Sequence, residues 1–309
     1  MLTTDILRAA LRDVPRISTL EHHTSIGSTN DRARELANAT VPEIALISAD
    51  EQLSGRGRQN RAWFTPPGTA LALSLLTRPR IAPQHAMRLT MLAGLAAVEG
   101  IEQATGLRLD LKWPNDVVAM NNEQLTINNE QFTMINDQCS MPNRQSPIDQ
   151  SPIDQLPINQ LPVAQLPITR KVGGILTEAS FQGDGLEYAI VGMGINVNVD
   201  FDNNVELQNI ATSLKTLSGH ALERVVVLKA IVAAFVERYA WLNDGDRLRE
   251  AWAARLINLG REIRVQLDDE VIAGRSEGVD ADGALLLRTS DGQLHRLLSG
   301  DVTLHGVND

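Results

Sequence analysis

"GRGRQNRAW", residues 55–63, places two glycines and three arginines within seven residues and ends on a tryptophan. Glycine at this density works against a helix. The chain around it carries a formal net charge of -10 and has a pI near 5.1. That balance argues against a general affinity for nucleic acid or anionic membrane, so any bound anion must meet a local cluster of cations. Three readings of the segment are open on spacing alone. It could be a solvated basic loop or an RGG-like nucleic-acid segment, which the acidic remainder disfavours. It could also be an anion-binding loop, in which glycines let backbone N–H groups approach an oxyanion and arginines bracket it.

The 309 residues, 43% hydrophobic and 21% charged, suffice for one large domain or two. The single cysteine, Cys139, excludes an internal disulfide and a multi-cysteine metal site. "MLTTDILRAALRDVP" (1–15) has an acid at Asp5 and no apolar h-region, so it does not read as a signal peptide. No run approaches a membrane-spanning length. A cytoplasmic protein is expected.

Outward from the basic segment, residues 1–20 predict at most a short amphipathic helix with Ile6, Leu7, Ala10, Leu11 and Val14 on one side. A strand should follow, then a helix over "STNDRARELA" (28–37), capped by Ser28 or Thr29. "EIALISAD" (43–50) and "GTALALSLLT" (68–77) read as buried strands. Met87, Met91, Leu95, Val98 and Ile101 fall at helical spacing, with Gly106 as the stop. "LRLDLKWPNDVVAM" (107–120) reads as a strand broken at Pro114. "KVGGILTEAS" (171–180) and "EYAIVGMGINVNV" (187–199) read as a strand pair joined by "FQGDGL". Helices are expected at about 223–242 and 246–257. From Gly260 the short strands and the Asp282-Gly283 and Asp291-Gly292 turns predict a small β-barrel.

One segment is foreign to this pattern. Residues 121–141 carry a seven-residue repeat, and 146–170 a five-residue repeat with a proline in each unit. Neither period fits a solenoid, and the prolines forbid a helix or a central strand. An unstructured insertion is expected over 121–169.

Two further motifs invite chemistry. "VGMGIN" (191–196) lacks the third glycine of a dinucleotide fingerprint, since Val197 stands there. Its glycines suit a ligand passing close to the strand. "KWPND" (112–116) could simply end a strand, or its lysine, amide and carboxylate could serve a nucleotide and Mg²⁺. His22, His23, His85, His220, His295 and His305 show no metal spacing and read as structural.

In order, "STN", "EQLSGRGRQNRAW", "KWPND", "RKVGGIL" and "VGMGIN" resemble the motifs of the biotin protein ligase family, over about 20–120 and 170–309. The resemblance implies an α+β fold like the class II aminoacyl-tRNA synthetases. That is a biotin–lipoate ligase catalytic domain over 21–257, with a mixed, largely antiparallel sheet, behind a helical leader at 1–20. A C-terminal SH3-like β domain over 259–309 completes it. The implied reaction joins biotin's carboxylate to the α-phosphate of ATP, releasing pyrophosphate, with Mg²⁺. A lysine amine of a biotin carboxyl carrier protein, an acetyl-CoA carboxylase subunit, then attacks the biotinyl-adenylate.

By the same resemblance, Ser28, Thr29 and Asn30 would face biotin's ureido ring. Gln52, Arg56, Gly57 and Arg58 would meet its tail and the acyl phosphate, with Lys171 and Arg58 catalytic. Arg61, Trp63, Lys112, Asn115 and Asn196 would take the nucleotide, Trp63 by stacking on adenine, and Asp116 with Asn196 would take the metal. Two departures stand out. About 20 residues before the first strand are too few for the winged-helix domain some members carry, so neither DNA binding nor repression is expected. The insertion falls between Asp116 and Lys171, where the family resemblance expects a hairpin whose tip tolerates it. A homodimer is left open. The alternatives are a lipoate–protein ligase, built on the same adenylate logic, and a non-enzymatic biotin or nucleotide sensor.

Overall fold

The computed structural model describes residues 1–38, 43–120, 169–183, 185–267 and 270–304. The repeats at 121–168 and Cys139, and so the expectation for the insertion, lie outside the described residues. Met1–Ala119 and Arg170–His305 form one compact unit.

Helix α1 spans Thr4–Ala10, capped by Thr3, whose hydroxyl accepts from the Ile6 N–H at 3.2 Å. It is the short helix expected of the leader, and strand β1 follows at Ile17–His23. Helix α2 (Thr29–Ala37) carries β1 into β2 (Ile44–Ala49), which lies parallel to it. β2 is buried throughout, with Ser48 as its single polar residue, and β3 (Leu71–Thr77) is buried on both faces as well.

Helix α3 (Arg88–Thr105) ends at Gly106, whose left-handed backbone (φ 74°) is the stop the sequence announced. β4 (Asp110–Lys112) and β5 (Asp116–Met120) flank the Trp113-Pro114 break. β6 (Thr169–Gln182) and β7 (Gly185–Ile195) form a long hairpin. The strand order is β1-β2-β3-β7-β6-β5-β4, so β7 from late in the chain sits at the centre beside β3.

Beyond the sheet come α4 (Leu214–Ser218), α5 (Arg224–Glu237) and α6 (Gly245–Ala253). α5 is apolar around most of its circumference because it packs against both α3 and α1. At its crossing with α3, a Cβ on Gly100 would lie 2.6 Å from Ile231 Cα, so only glycine lets the two backbones approach this closely. Where one helix was expected over 223–242, α5 stops at Glu237 and a 3-10 turn follows over Tyr239–Asn243.

The last strands are β8 (Glu262–Leu267), β9 (Glu270–Val279), β10 (Leu285–Arg288), β11 (Leu294–Leu297) and β12 (Asp301–Leu304). They form an antiparallel sheet in the order β11-β10-β9-β8-β12. Two polar clasps tie it to the first sheet's helices and loops. The Trp113 indole donates to Gly283 O at 2.9 Å, and the Arg88 guanidinium reaches Ala281 O and Asp282.

Candidate active site

The centre of the large sheet has a floor of glycine. Gly192 and Gly194 lie two apart on β7 and so on one face, and Gly174 pairs with Gly194 from β6. A Cβ on any of them would crowd a functional side chain. On Gly192 it would strike the Asn30 amide, and on Gly194 the Trp63 ring. On Gly174 it would lie 3.2–3.3 Å from the end of Lys171. The two "VGMGIN" glycines that the sequence read as room for a ligand thus bring Asn30 and Trp63 down onto the strands, and Gly174 does the same for Lys171.

Over Gly192 lies a cluster of buried polar side chains. Ser28 sits at the N-cap of α2 and makes no capping side-chain bond, and Ser28, Thr29 and Asn30 are all buried. Thr29 donates to Gln52 Oε1 through both its N–H (2.8 Å) and its hydroxyl (3.0 Å). Ser74 Oγ, fully buried on β3, is 2.8 Å from Thr29 Oγ1 and 2.6 Å from Asn30 Oδ1.

The "GRGRQNRAW" segment is a closed antiparallel loop. Trp63 N–H donates to Gly55 O (2.9 Å), Gly57 N–H to Arg61 O (2.7 Å), and Arg56 bridges to Ala62. The tip is a 3-10 turn over Arg58–Asn60 in which Gln59 takes a left-handed backbone (φ 53°). That conformation is uncommon outside glycine.

Each arginine of the loop points to an internal oxygen. Arg56 makes a two-pronged pair with Asp31 of α2 (2.6 and 2.9 Å), which holds the Asp31 carboxyl below its usual range. Arg58 reaches Asn115 Oδ1 (3.3 Å) and Gly300 O (3.2 Å). Burial pulls its pKa down, against the pull of Asp301 and Asp116. Arg61, exposed, pairs with Asp301.

On the other side of the floor, Lys171 Nζ lies 2.6 Å from Asp116 Oδ1 and over the Trp63 ring, 5.6 Å from its centroid. Burial lowers the pKa of the half-buried Lys112, Asp116 opposing and Lys171 adding to the shift. Asn115 donates to Ile175 O at 2.8 Å, holding the "KWPND" turn to β6. Asn196 turns its amide nitrogen to Thr212 O (3.2 Å) and toward Lys171 O (3.5 Å), bracing the backbone that carries Lys171.

Two constellations therefore share one floor. One is the neutral pocket of Thr29, Asn30, Gln52 and Ser74, and the other a charged cluster of Arg58, Lys112, Asp116 and Lys171. Arg61 stands apart, exposed on Asp301. Ser74, Glu178, Gly300 and Asp301 escaped the sequence reading because they reach the site from other elements, and Asp31, next to Asn30 on α2, because its partner Arg56 comes from the loop. Only Ser74, a hydroxyl in the apolar run "LALSLLT", left a visible signal. Among the described residues no three His, Cys, Asp or Glu side chains converge on a metal position. Asp116 is a single carboxylate, which fits an Mg²⁺ ion held largely by phosphates and water. Among the described residues no helix is long and apolar enough to cross a membrane.

Residues 23–130 match the Biotin/lipoate A/B protein ligase family, and residues 259–304 the Biotin protein ligase C terminal domain. The bifunctional ligase/repressor BirA of Bacillus subtilis (strain 168) is 32% identical over 290 residues, 92% of this chain and 74% of that protein. The biotin–[acetyl-CoA-carboxylase] ligase of Paracoccus denitrificans is 29% identical over 273 residues, 86% of this chain and 92% of that one. A solved structure of the biotin protein ligase from Aquifex aeolicus in complex with biotin and ATP superposes with a TM-score of 0.65. It is 24% identical, with 94% of this chain and 99% of that one covered.

Proposed function

Because the chain belongs to the biotin protein ligase family, we propose that it is an ATP-dependent biotin ligase acting in two half-reactions. A carboxylate oxygen of biotin attacks the α-phosphorus of ATP, forming biotinyl-5'-adenylate and expelling pyrophosphate. The neutral ε-amine of a lysine on a biotin carboxyl carrier protein then attacks the acyl carbon, forming an amide and releasing AMP.

The observation that carries this reading is the junction of the two constellations. A neutral hydrogen-bonding pocket at Asn30 suits a polar, uncharged ring, and the cations begin where the ring's acidic tail would end. The first half-reaction brings two anions together, so fixed positive charge lowers its barrier more than it favours either substrate alone. Lys171 and Arg58 take that role, and Arg56, Gly57 and Gln52 line the path of the tail. Arg61, Lys112, Asn115 and Asn196 serve the nucleotide side, Arg61 by leaving Asp301 for the triphosphate. Trp63 has a flat face for adenine once its ring lifts from Gly194. Asp116, after releasing Lys171, and Asn196 would hold Mg²⁺, and the ion would neutralise phosphate charge.

Biotin-dependent exchange of labelled pyrophosphate into ATP, requiring Mg²⁺, tests the first half-reaction. Transfer of biotin to a carrier domain tests the second. Robust exchange with lipoate but none with biotin would overturn the assignment.

A further inference from the structure

Asn30 has a partner that neither half-reaction calls for. Its Nδ2 donates to Glu178 Oε2 of β6 at 2.6 Å, and the other carboxylate oxygen accepts from Arg34 Nη2 at 2.8 Å. A side-chain amide can present either its oxygen or its nitrogen to a ligand. With both Glu178 oxygens accepting, the nitrogen of Asn30 must face β6. Its oxygen must then face Ser74 and the floor at Gly192.

The far end of the pocket is fixed the same way. The Thr29 backbone N–H donates to Gln52 Oε1, so that amide also presents oxygen. Between the two ends stand two hydroxyls, giving a row of four oxygens: Asn30 Oδ1, Ser74 Oγ, Thr29 Oγ1 and Gln52 Oε1. Successive separations are 2.6, 2.8 and 3.0 Å. Three such contacts need three protons, and two hydroxyls bring two. The row is one donor short, and it is buried at Ser74, Thr29 and Asn30, where an unmet polar contact is costly.

We propose that Glu178 is a positioning residue that acts through Asn30. It holds the pocket in acceptor polarity, so that the pocket takes a ring carrying N–H donors, a cyclic urea, and disfavours one without them. The inference rests on the biotin reading. It deepens that reading by explaining discrimination against a dithiolane ring, which brings no N–H to the row.

The test is a double-mutant cycle in biotin-dependent pyrophosphate exchange with the full chain. Glu178→Gln keeps the size but lets the two facing amides choose their orientation. It should raise KM for biotin about tenfold or more, while kcat and KM for ATP stay within about twofold of wild type. In an Asn30→Ala background the same change should move KM for biotin by less than about twofold, because its intermediary is gone.

A biotin analogue with the Asn30-facing ring N–H replaced by oxygen, a cyclic carbamate, gives a second readout. The preference for biotin over this analogue should narrow at least about threefold in Glu178→Gln. If that variant does not fold, Glu178→Asp keeps the charge but withdraws it by one methylene, and should show a smaller rise in KM for biotin alone. An equal effect of Glu178→Gln in both backgrounds, or an equal rise in KM for ATP, would overturn the inference. So would an unchanged KM for biotin in the folded variant. Absence of biotin-dependent exchange in the wild-type protein would instead overturn the functional reading, and the inference with it.

Discussion

Gly192→Ala adds one methyl group to the floor and touches almost nothing else. Gly192 has no left-handed backbone, so alanine fits the strand. By restricting the unfolded chain, it should even contribute about 0.4–1 kcal/mol of stability. The cost lies in the space above. The new Cβ would collide with Asn30 Oδ1 and lie 3.1 Å from both its Cγ and Nδ2, so the amide must leave. It then loses one neutral hydrogen bond, to Ser74, and one to the Glu178 carboxylate, both at 2.6 Å. These are typically worth about 1 and about 1.5–3 kcal/mol. The net destabilisation should be roughly 2–3 kcal/mol, lowering Tm by roughly 4–6 °C.

Displacing Asn30 also removes one ligand acceptor, so KM for biotin should rise about 5–30-fold. KM for ATP should stay within about twofold, because the charged cluster is not on this part of the floor. Pyrophosphate exchange at varied biotin and varied ATP, with a thermal melt, reads all three quantities. A folded Gly192→Ala protein with wild-type KM for biotin would refute the reasoning. So would a loss shared equally between the two substrates.

Other outcomes follow from the same geometry. Lys171→Met should slow adenylation by two to three orders of magnitude, since a fixed donor to developing charge is worth ~3–4 kcal/mol. A variant keeping over half the wild-type exchange rate would remove Lys171 from the mechanism. Asp301→Asn breaks the exposed Arg61 pair and should change stability by less than ~1 kcal/mol. It should nonetheless accelerate amide exchange at Gly57–Arg61, and unchanged exchange there would mean the pair does not hold the loop.

Burial lowers the pKa of His22, with Asp50 opposing. Below its ordinary value near 6.5 the unfolded chain therefore takes up a proton that the folded chain resists, and stability falls as pH drops through that window. His22→Asn should flatten the fall below about pH 6.5 in urea melts, and an unchanged slope would exclude His22 as its source. Removing residues 122–168, which carry none of the matched site residues, should leave exchange within about threefold. Loss with every linker tested, in folded protein, would place the insertion in the site.

Local chemistry was legible from the sequence by itself. Glycine at 106 can end a helix because it alone enters the left-handed region freely, and Gly106 does so at φ 74°. The apolar runs at 43–50 and 68–77 read as buried strands, and β2 and β3 are. The motifs also carried their arginines and lysines in plain view, the side chains that pair with anions most directly.

What the sequence could not show is which residues meet across the sheet. Ser74 touches Asn30 from 44 positions away, and Glu178 touches it from 148. Both contacts depend on β7 coming between β3 and β6, a pairing set by the packing of whole strands rather than by any local pattern. The glycine floor has the same origin. Nothing near Gly192 or Gly194 in the chain announces Asn30 or Trp63, because the constraint is the volume those side chains claim above the strand. Residue type set which chemistry each position could offer, and tertiary structure decided the polarity of Asn30, since only a carboxylate from another strand fixes which way that amide faces.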